Sequence, residues 1–462
     1  MNSILSLLLL LCCVLMFFVK REHKICILAI YLICLKGVSS PFLPATISPI
    51  FTFFVSEIIH FNQFWKGLKA NGLLWPLIIL LVSIVVLFFT SPHLVGLKGL
   101  WTAFNNGLFR NYIVLFLVFI VSAYGKLISL KSLAKTCLVC MSVLTAFGIV
   151  NLITRHAIFI DWIVAGNSSF DAFDMSGSYY TDSDRFRVQA MFPNPFDYGY
   201  ICLMVLVLFE YFRRRNIISK IQYYFILCCC LFGIFSCGAR TLLAVTIVGG
   251  FVYLLFGFKL KRQVSILVLG GLIFVLLMMF VPGISEKLSF LATAFSDDSD
   301  VSGSSLSMRQ VQFAAVLYQI RDHLLFGRGL NYFAIDMGWS QGVSGLVDKN
   351  LFGIEGVYLA YLLERGVFGL AMYTLYWLAI IRVVIKSFKL TKNRLIMAIN
   401  FSVIAAYLCF ANMTGELGSV PPTSFIIGLT LGICVYSNNN TSLIFAPSFK
   451  QRPPIEPASL LR

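Results

Sequence analysis

Apolar runs of membrane-crossing length, parted by short charged gaps, recur along the whole of this 462-residue chain. They fall at 4–19, 25–38, 42–59, 73–89, 108–124, 133–152, 196–212, 221–235, 241–258, 264–281, 356–381, 395–411 and 423–436. A helix needs about 20 mostly apolar residues, in a range of roughly 17–25, to cross the hydrocarbon of a bilayer. In lipid every backbone polar group must be satisfied internally, so runs this long predict helices. The expected fold is therefore an all-α polytopic membrane protein with about 12–13 transmembrane helices. Composition agrees: 59% of residues are hydrophobic and 12% charged, about half the charge of a soluble domain. That excludes a cytosolic globular enzyme, a disordered regulator and a small disulfide-rich scaffold.

The net charge of +16 raises the question of nucleic acid, and the placement of the charges answers it. Most Lys and Arg lie in alternate gaps: 20–24, 60–72, 125–132, 213–220, 259–263, 382–394 and the tail from 437. This is membrane topology, with the basic gaps cytoplasmic by the positive-inside rule. The first run has no basic region before it, while Lys20-Arg21-Glu22-His23-Lys24 follows it. It reads as a first membrane helix with its N-terminus outside, not as a cleaved leader. Nearly all of the thirteen cysteines lie inside apolar runs, so no disulfide framework is predicted. The expected organisation is N-terminal helices over 1–152, an outer loop at 153–195 and central helices over 196–281. A large outer loop with an amphipathic helix over 306–325 fills 282–355. C-terminal helices over 356–436 and a cytoplasmic tail over 437–462 complete it.

The chain contains no P-loop, no HExxH and no GxSxG elbow, and its five histidines are scattered, so no metal site is expected. The chemistry-bearing residues gather instead at the outer ends of the helices. Arginine on the translocated side runs against the positive-inside bias, and guanidinium offers a two-pronged fork to phosphate oxygens. Four strings carry this feature. Arg185-Phe186-Arg187 leads to Phe192-Pro193-Asn194-Pro195, and Ser236-Cys237-Gly238-Ala239-Arg240 opens a helix. Ser307-Met308-Arg309 is followed by Arg321-Asp322-His323 and Phe326-Gly327-Arg328-Gly329. Glu355-Gly356 precedes Glu364-Arg365-Gly366. Salt bridges to the loop acids are the structural alternative for each arginine.

In this order the strings resemble the O-antigen ligase/polymerase family of bacterial envelope glycosyltransferases, over about 185–380. Arg240 falls on the arginine of the family's Ser-Arg-Gly pattern and Arg309 on the one that begins its large outer helix. Phe326–Gly329 is similar to its Gly-x-Gly element, and Glu364 with Gly366 to its Glu-x-Gly. Where the family's ligases carry His-Asn this chain has Glu355-Gly356, which points to a repeat-unit polymerase over a ligase.

The resemblance implies a GT-C-like fold in the bacterial inner membrane with its active face periplasmic. It implies a metal-independent, cofactor-free transfer of a glycan from undecaprenyl pyrophosphate. Glu355 is the expected catalytic residue. Arg187, Arg240, Arg309 and Arg328 are expected to hold the pyrophosphate or glycan. Expected partners are undecaprenyl-pyrophosphate-linked glycans, membrane lipids and a chain-length regulator protein. The alternatives are a ligase acting on lipid A core and, in another class, a lipid-linked glycan flippase or exporter. A transporter should show paired halves and mid-membrane charge, whereas here the charge gathers at the outer ends. Alkaline phosphatase fusions are expected to be active after positions 182 and 298 and inactive after 216 and 262; the reverse pattern overturns the orientation.

Overall fold

The structure, a computed structural model, describes residues 2–36, 48–125, 130–160, 186–265, 268, 306–330, 332, 354, 356–415 and 419–439. Its helices are α1 (Asn2–Phe18), α2 (Arg21–Ile30, continued as a π-turn to Leu35), α3 (Pro49–Glu57), α4 (Phe61–Asn71) and α5 (Leu74–Thr90). Then come α6 (Gly96–Phe104, with a π-turn to Phe109), α7 (Ile113–Tyr124), α8 (Leu130–Thr154), α9 (Pro195–Arg214) and α10 (Lys220–Ser236). The last are α11 (Arg240–Gly257), α12 (Leu306–Ile320), α13 (Val357–Thr391), α14 (Arg394–Thr414) and α15 (Val420–Asn439). No strand occurs among the described residues. The chain is thus an all-α, multi-pass membrane protein.

Among the described residues six helices are long and apolar enough to cross a bilayer alone, and two bent pairs raise the number to eight. The expectation of twelve to thirteen covered the whole chain, whereas this number leaves out the shorter apolar helices and the residues beyond those described. The run 42–59 ends in α3, and the chain turns through Ile58–His60 into α4. The pair Pro49–Asn71 and Leu74–Thr90 is bent by 108°. Gly72 makes that bend, at φ +80°, with the Leu73 N–H donating back to the Leu68 carbonyl, a left-handed helix end that favours glycine. In α4, Phe64 and Leu68 are buried while Phe61, Trp65, Lys66 and Lys69 are exposed, the pattern of a helix lying at a membrane interface. The run 108–124 starts inside the π-turn after α6, and α1 and α10 are shorter apolar helices. Of the run 264–281, only 264, 265 and 268 are among the described residues.

The two ends of the bundle are called here the loop end, which bears the links 153–195 and 282–355, and the basic end. At the basic end Glu57, 4% exposed, accepts from Arg21 Nε at 2.7 Å and Lys24 Nζ at 2.9 Å. Two of the topology-setting cations therefore also clamp α2 to α3.

At the centre stands α7, with every residue from Ile113 to Ala123 buried. Gly428 and Gly432 of α15 form a GxxxG seam against it. A Cβ on either would meet the α7 backbone at Leu115 or Phe119, which is how small residues let membrane helices approach. In the same way Gly249 and Gly257 of α11 meet Ala406 and Ala398 of α14, and Ser402 Oγ donates to the Gly249 carbonyl at 2.7 Å. These pairs set an antiparallel register that brings the start of α11 level with the end of α14.

A helix of 35 residues is about 52 Å long, well over the roughly 30 Å hydrocarbon core. Helix α13 is interrupted at Gly366, which takes φ 62° and ψ −165°. Such a break strands backbone groups that lipid cannot satisfy. The turn 324–329 satisfies them reciprocally. Val367 and Phe368 N–H donate to the Leu324 and Leu325 carbonyls, both at 3.0 Å. Arg328 and Gly329 N–H donate to the Leu363 and Glu364 carbonyls at 2.8 and 2.9 Å. Gly327, at φ +69°, lies so close that a Cβ there would be 2.6 Å from the Gly366 nitrogen. The Leu330 N–H then donates to Ser91 Oγ at 2.9 Å, tying the turn to the end of α5.

Helix α12 lies within the stretch 306–325, and its Val316 and Ile320 pack on Leu362 and Leu363 of α13. Gly327→Val is expected to destabilise the protein by about 3 kcal/mol, through backbone strain and lost hydrogen bonds. Its thermal melting in detergent should fall accordingly, while Gly250→Val, at a glycine with open space around it, should melt near the wild type.

Candidate functional site at the loop end

The segment 186–189 runs extended beside the α10–α11 junction, with the Val188 N–H donating to the Ser236 carbonyl at 3.0 Å. The chain reverses at Ala190, whose φ is +51°, and the fully buried Asn151 amide bonds its backbone. Asn194 then caps α9, accepting from the Phe196 N–H at 2.8 Å, and Pro195 occupies the first helical position, where no N–H is needed. Those local signals, Asn-Pro after a buried extended segment, fix where Arg187 emerges.

The Arg187 guanidinium carbon lies 5.9 Å from the centre of the Phe196 ring. Its aliphatic stem passes Gly238, where a Cβ would sit 3.2 Å from Arg187 Cγ. Gly238 has φ +63°. The glycine therefore serves both the turn into α11 and the approach of Arg187 to the residue that begins that helix, Arg240. No side chain caps the start of α11, so its first amides and dipole add to the positive field there. Cys237 lies in the same turn. Burial pushes its thiol up to about 11, with Arg187 pulling the other way, so it stays protonated at neutral pH and is no nucleophile.

Arg309 donates from Nη2 to the Met413 carbonyl at 3.1 Å, at the end of α14. The α11–α14 register brings that end level with Arg240. Gly356, at the head of α13, packs so tightly there that a Cβ would be 2.9 Å from the Asn412 carbonyl oxygen. Glu355 itself lies outside the described residues.

Arg328 has a different setting. Its Nε donates to the Gln319 carbonyl at 2.7 Å, its guanidinium lies 5.7 Å from the Tyr332 ring centre, and its backbone is part of the lock on α13. Arg321 is exposed and pairs with Asp322, the structural alternative named for it.

Arg187 thus lies beside the turn that leads to Arg240, and Arg309 contacts the end of α14 that the α11–α14 register brings level with the start of α11, while Arg328 belongs to the lock. Two further cations went unnoticed in the sequence. Lys36 is within electrostatic reach of Arg110 and of Asp197 in the first turn of α9. Both fell inside apolar runs as drawn from hydropathy, 25–38 and 108–124, although Arg110 sits in the gap between α6 and α7 on the loop side. Their position at a helix end was the available signal. The lipid-facing side of this site is α11, whose Ile247, Phe251 and Leu255 are exposed.

Residues 224–374 match a family described as O-Antigen ligase. The matched stretch includes Arg240, Arg309, Arg328 and Glu355, and it leaves Arg187 outside. Compared with curated proteins, the chain matches none. Arg328→Ala is expected to cost about 1.5–3 kcal/mol, the worth of a hydrogen bond to a charged group, and to lower the melting temperature. Arg187→Ala should stay within about 1 kcal/mol of the wild type, the scale of an exposed cation–π contact. Equal melting losses in the two variants would contradict this division.

Proposed function

We propose, supported by the match of residues 224–374 to a family described as O-Antigen ligase, that this chain is a membrane enzyme of the O-antigen ligase/polymerase kind that polymerises lipid-linked oligosaccharide repeat units. The donor in this reading is a glycan on undecaprenyl pyrophosphate, and the face is periplasmic. The observation that carries it is the packing of Arg187 against Gly238, two residues before Arg240 at the uncapped start of α11. A hydroxyl of the acceptor glycan attacks the reducing-end carbon of the donor sugar. A new C–O bond forms as the bond to pyrophosphate breaks, and the configuration inverts. The leaving pyrophosphate keeps the electron pair, and its charge is taken up by Arg187, Arg240 and Arg309. Donors fixed in advance around a developing anion are among the largest catalytic terms known.

Glu355 is assigned the proton of the attacking hydroxyl, as general base. Its chain neighbour Gly356 packs at the end of α14 that Arg309 also contacts, which supports placing base and cations together. The exposed aliphatic side of α11 suits a polyprenyl tail that stays in lipid while its head group enters the site. Arg328 keeps a supporting role, positioning the turn that closes α13. Transfer to lipid A core is the second reading. The Glu355-Gly356 pair, standing where the family's ligases carry His-Asn, favours the polymerase.

The test is the purified full chain in detergent with a lipid-linked repeat unit and no membrane gradient. Longer glycans are expected. Arg240→Ala should lower kcat about 100-fold or more, as loss of an oxyanion donor does, and Glu355→Gln about as much. Unlengthened glycans from the wild type, or full cellular polymer in both variants, would overturn the reading. In a deletion strain single-repeat caps are expected; unattached long chains would instead indicate the ligase.

A further inference from the structure

A cavity of about 70 Å³ lies at the basic end, between the first turns of α8 and the turn that joins α9 to α10. One water needs roughly 10–15 Å³ of such space, so several waters, or one phosphate group, can enter. From α8 it is lined by Lys131, Lys135 and Leu138, whose spacing of four and three residues puts them on one face of the helix. From the turn and the start of α10 come Ile217, Ile218 and Gln222. Gln222 Oε1 accepts from the Ser219 N–H at 3.0 Å, as part of a capping box, which leaves its NH2 group as a donor. Both α8 and α10 begin at this end, so the positive poles of two helix dipoles add to the field of the two ammonium groups.

The elements that line the cavity offer no acid in return. Residues 130–154 and 211–236 contain no Asp or Glu. Glu210, just before the turn, is engaged by Arg213, Arg214 and Tyr253. Lys131 and Lys135 are exposed, and neither forms an ion pair among the described residues. The cavity therefore suits an anion, and its place says which kind. Lys135 is five residues into α8, about 7–8 Å along the axis. That is the depth of the head-group layer, where a lysine keeps its ammonium at the phosphates and its stem in apolar surroundings. Deeper on the same two helices Val139, Val143 and Phe225 are exposed. There α8 and α10 run side by side, with a Cβ on Gly148 only 3.1 Å from the Phe232 ring. Acyl chains can lie along this apolar surface while a head group sits in the cavity, whereas a soluble anion would use none of it.

We propose that the cavity binds the phosphate of an anionic phospholipid from the leaflet at the basic end, with Lys131 and Lys135 as its ion partners and Gln222 as a hydrogen-bond donor. Basic pockets between membrane helices recognise lipid head groups in this way. The bound lipid bridges α8 and the α9–α10 turn. The site is independent of the reaction proposed for the loop end.

The experiment is native mass spectrometry of the full chain in a non-ionic detergent, titrated with phosphatidylglycerol or phosphatidylcholine, with thermal melting alongside. Phosphatidylglycerol is expected to bind more tightly than phosphatidylcholine and to raise the melting temperature, as any ligand of the folded state does. Lys131→Gln combined with Lys135→Gln should weaken the tightest phosphatidylglycerol by about tenfold or more, as the loss of two charges beside a phosphate does. It should also remove the lipid-dependent rise in melting. Without lipid this double variant should melt near the wild type, because both side chains are exposed. Lys66→Gln combined with Lys69→Gln removes two exposed cations of α4, outside the cavity, and should leave that affinity unchanged.

Equal binding of phosphatidylcholine, or wild-type affinity in the Lys131 and Lys135 double variant, overturns the proposal. An equal loss in the α4 double variant also overturns it, because the attraction would then belong to the whole basic rim. Displacement of the lipid by an equimolar amount of inorganic phosphate overturns the assignment to a phospholipid in favour of a soluble anion.

Discussion

A backbone cut inside a long helix needs partners, and in lipid no water supplies them. Helix α13 is cut at Gly366, and the turn 324–329 meets the stranded groups with four reciprocal hydrogen bonds. Each such bond is worth only about 1 kcal/mol net, but leaving a buried backbone group unmet costs about 1–3. The exchange therefore fixes the turn to the helix in one register. It explains two glycines at once: Gly366 makes the break, and Gly327 lets the turn reach it. Through Leu330 and Ser91 the same turn ties α13 to the end of α5. It thereby anchors the chain that follows α12.

Small residues do the corresponding work elsewhere. Hydrophobic burial gives no preference for one helix neighbour over lipid, so close approach and a few interhelical hydrogen bonds decide the packing. Gly428 and Gly432 bring α15 against α7, and Gly249 and Gly257 bring α11 against α14. The second seam has a chemical consequence, because its register aligns the start of α11, with Arg240, and the end of α14, which Arg309 contacts. Gly238 adds Arg187 from a segment more than fifty residues earlier. Where these arginines emerge is thus a product of glycine placement as much as of arginine placement.

A concentration of guanidinium groups at one rim is costly unless anions answer it. Asp197 answers Lys36, and carbonyls answer Arg309 and Arg328. In the proposed chemistry the pyrophosphate leaving group brings a further anion to that rim. The same logic separates the two arginines of the third string. Arg309 reaches the end of α14, while Arg328, whose neighbouring glycines the family resemblance singled out, is engaged in holding the turn.

The residues alone determined that the chain is helical, that it crosses a membrane repeatedly and that its unusual arginines stand at helix ends. Those properties follow from the length of apolar runs and from charge counted gap by gap, which are sums along the chain. Tertiary structure decided which runs turn instead of crossing, as at Ile58–His60 and Gly72. It decided that Lys24 is buried against Glu57, that Arg187 packs beside the turn into α11 and Arg309 on the end of α14, and that Arg328 serves the lock. It also drew in Lys36 and Arg110, which hydropathy had absorbed into apolar runs, and set Arg365 over Tyr361. The reason is that these facts depend on contacts between helices distant in sequence. Such contacts are set by where a missing Cβ lets two backbones touch, and no local pattern of polarity carries that information.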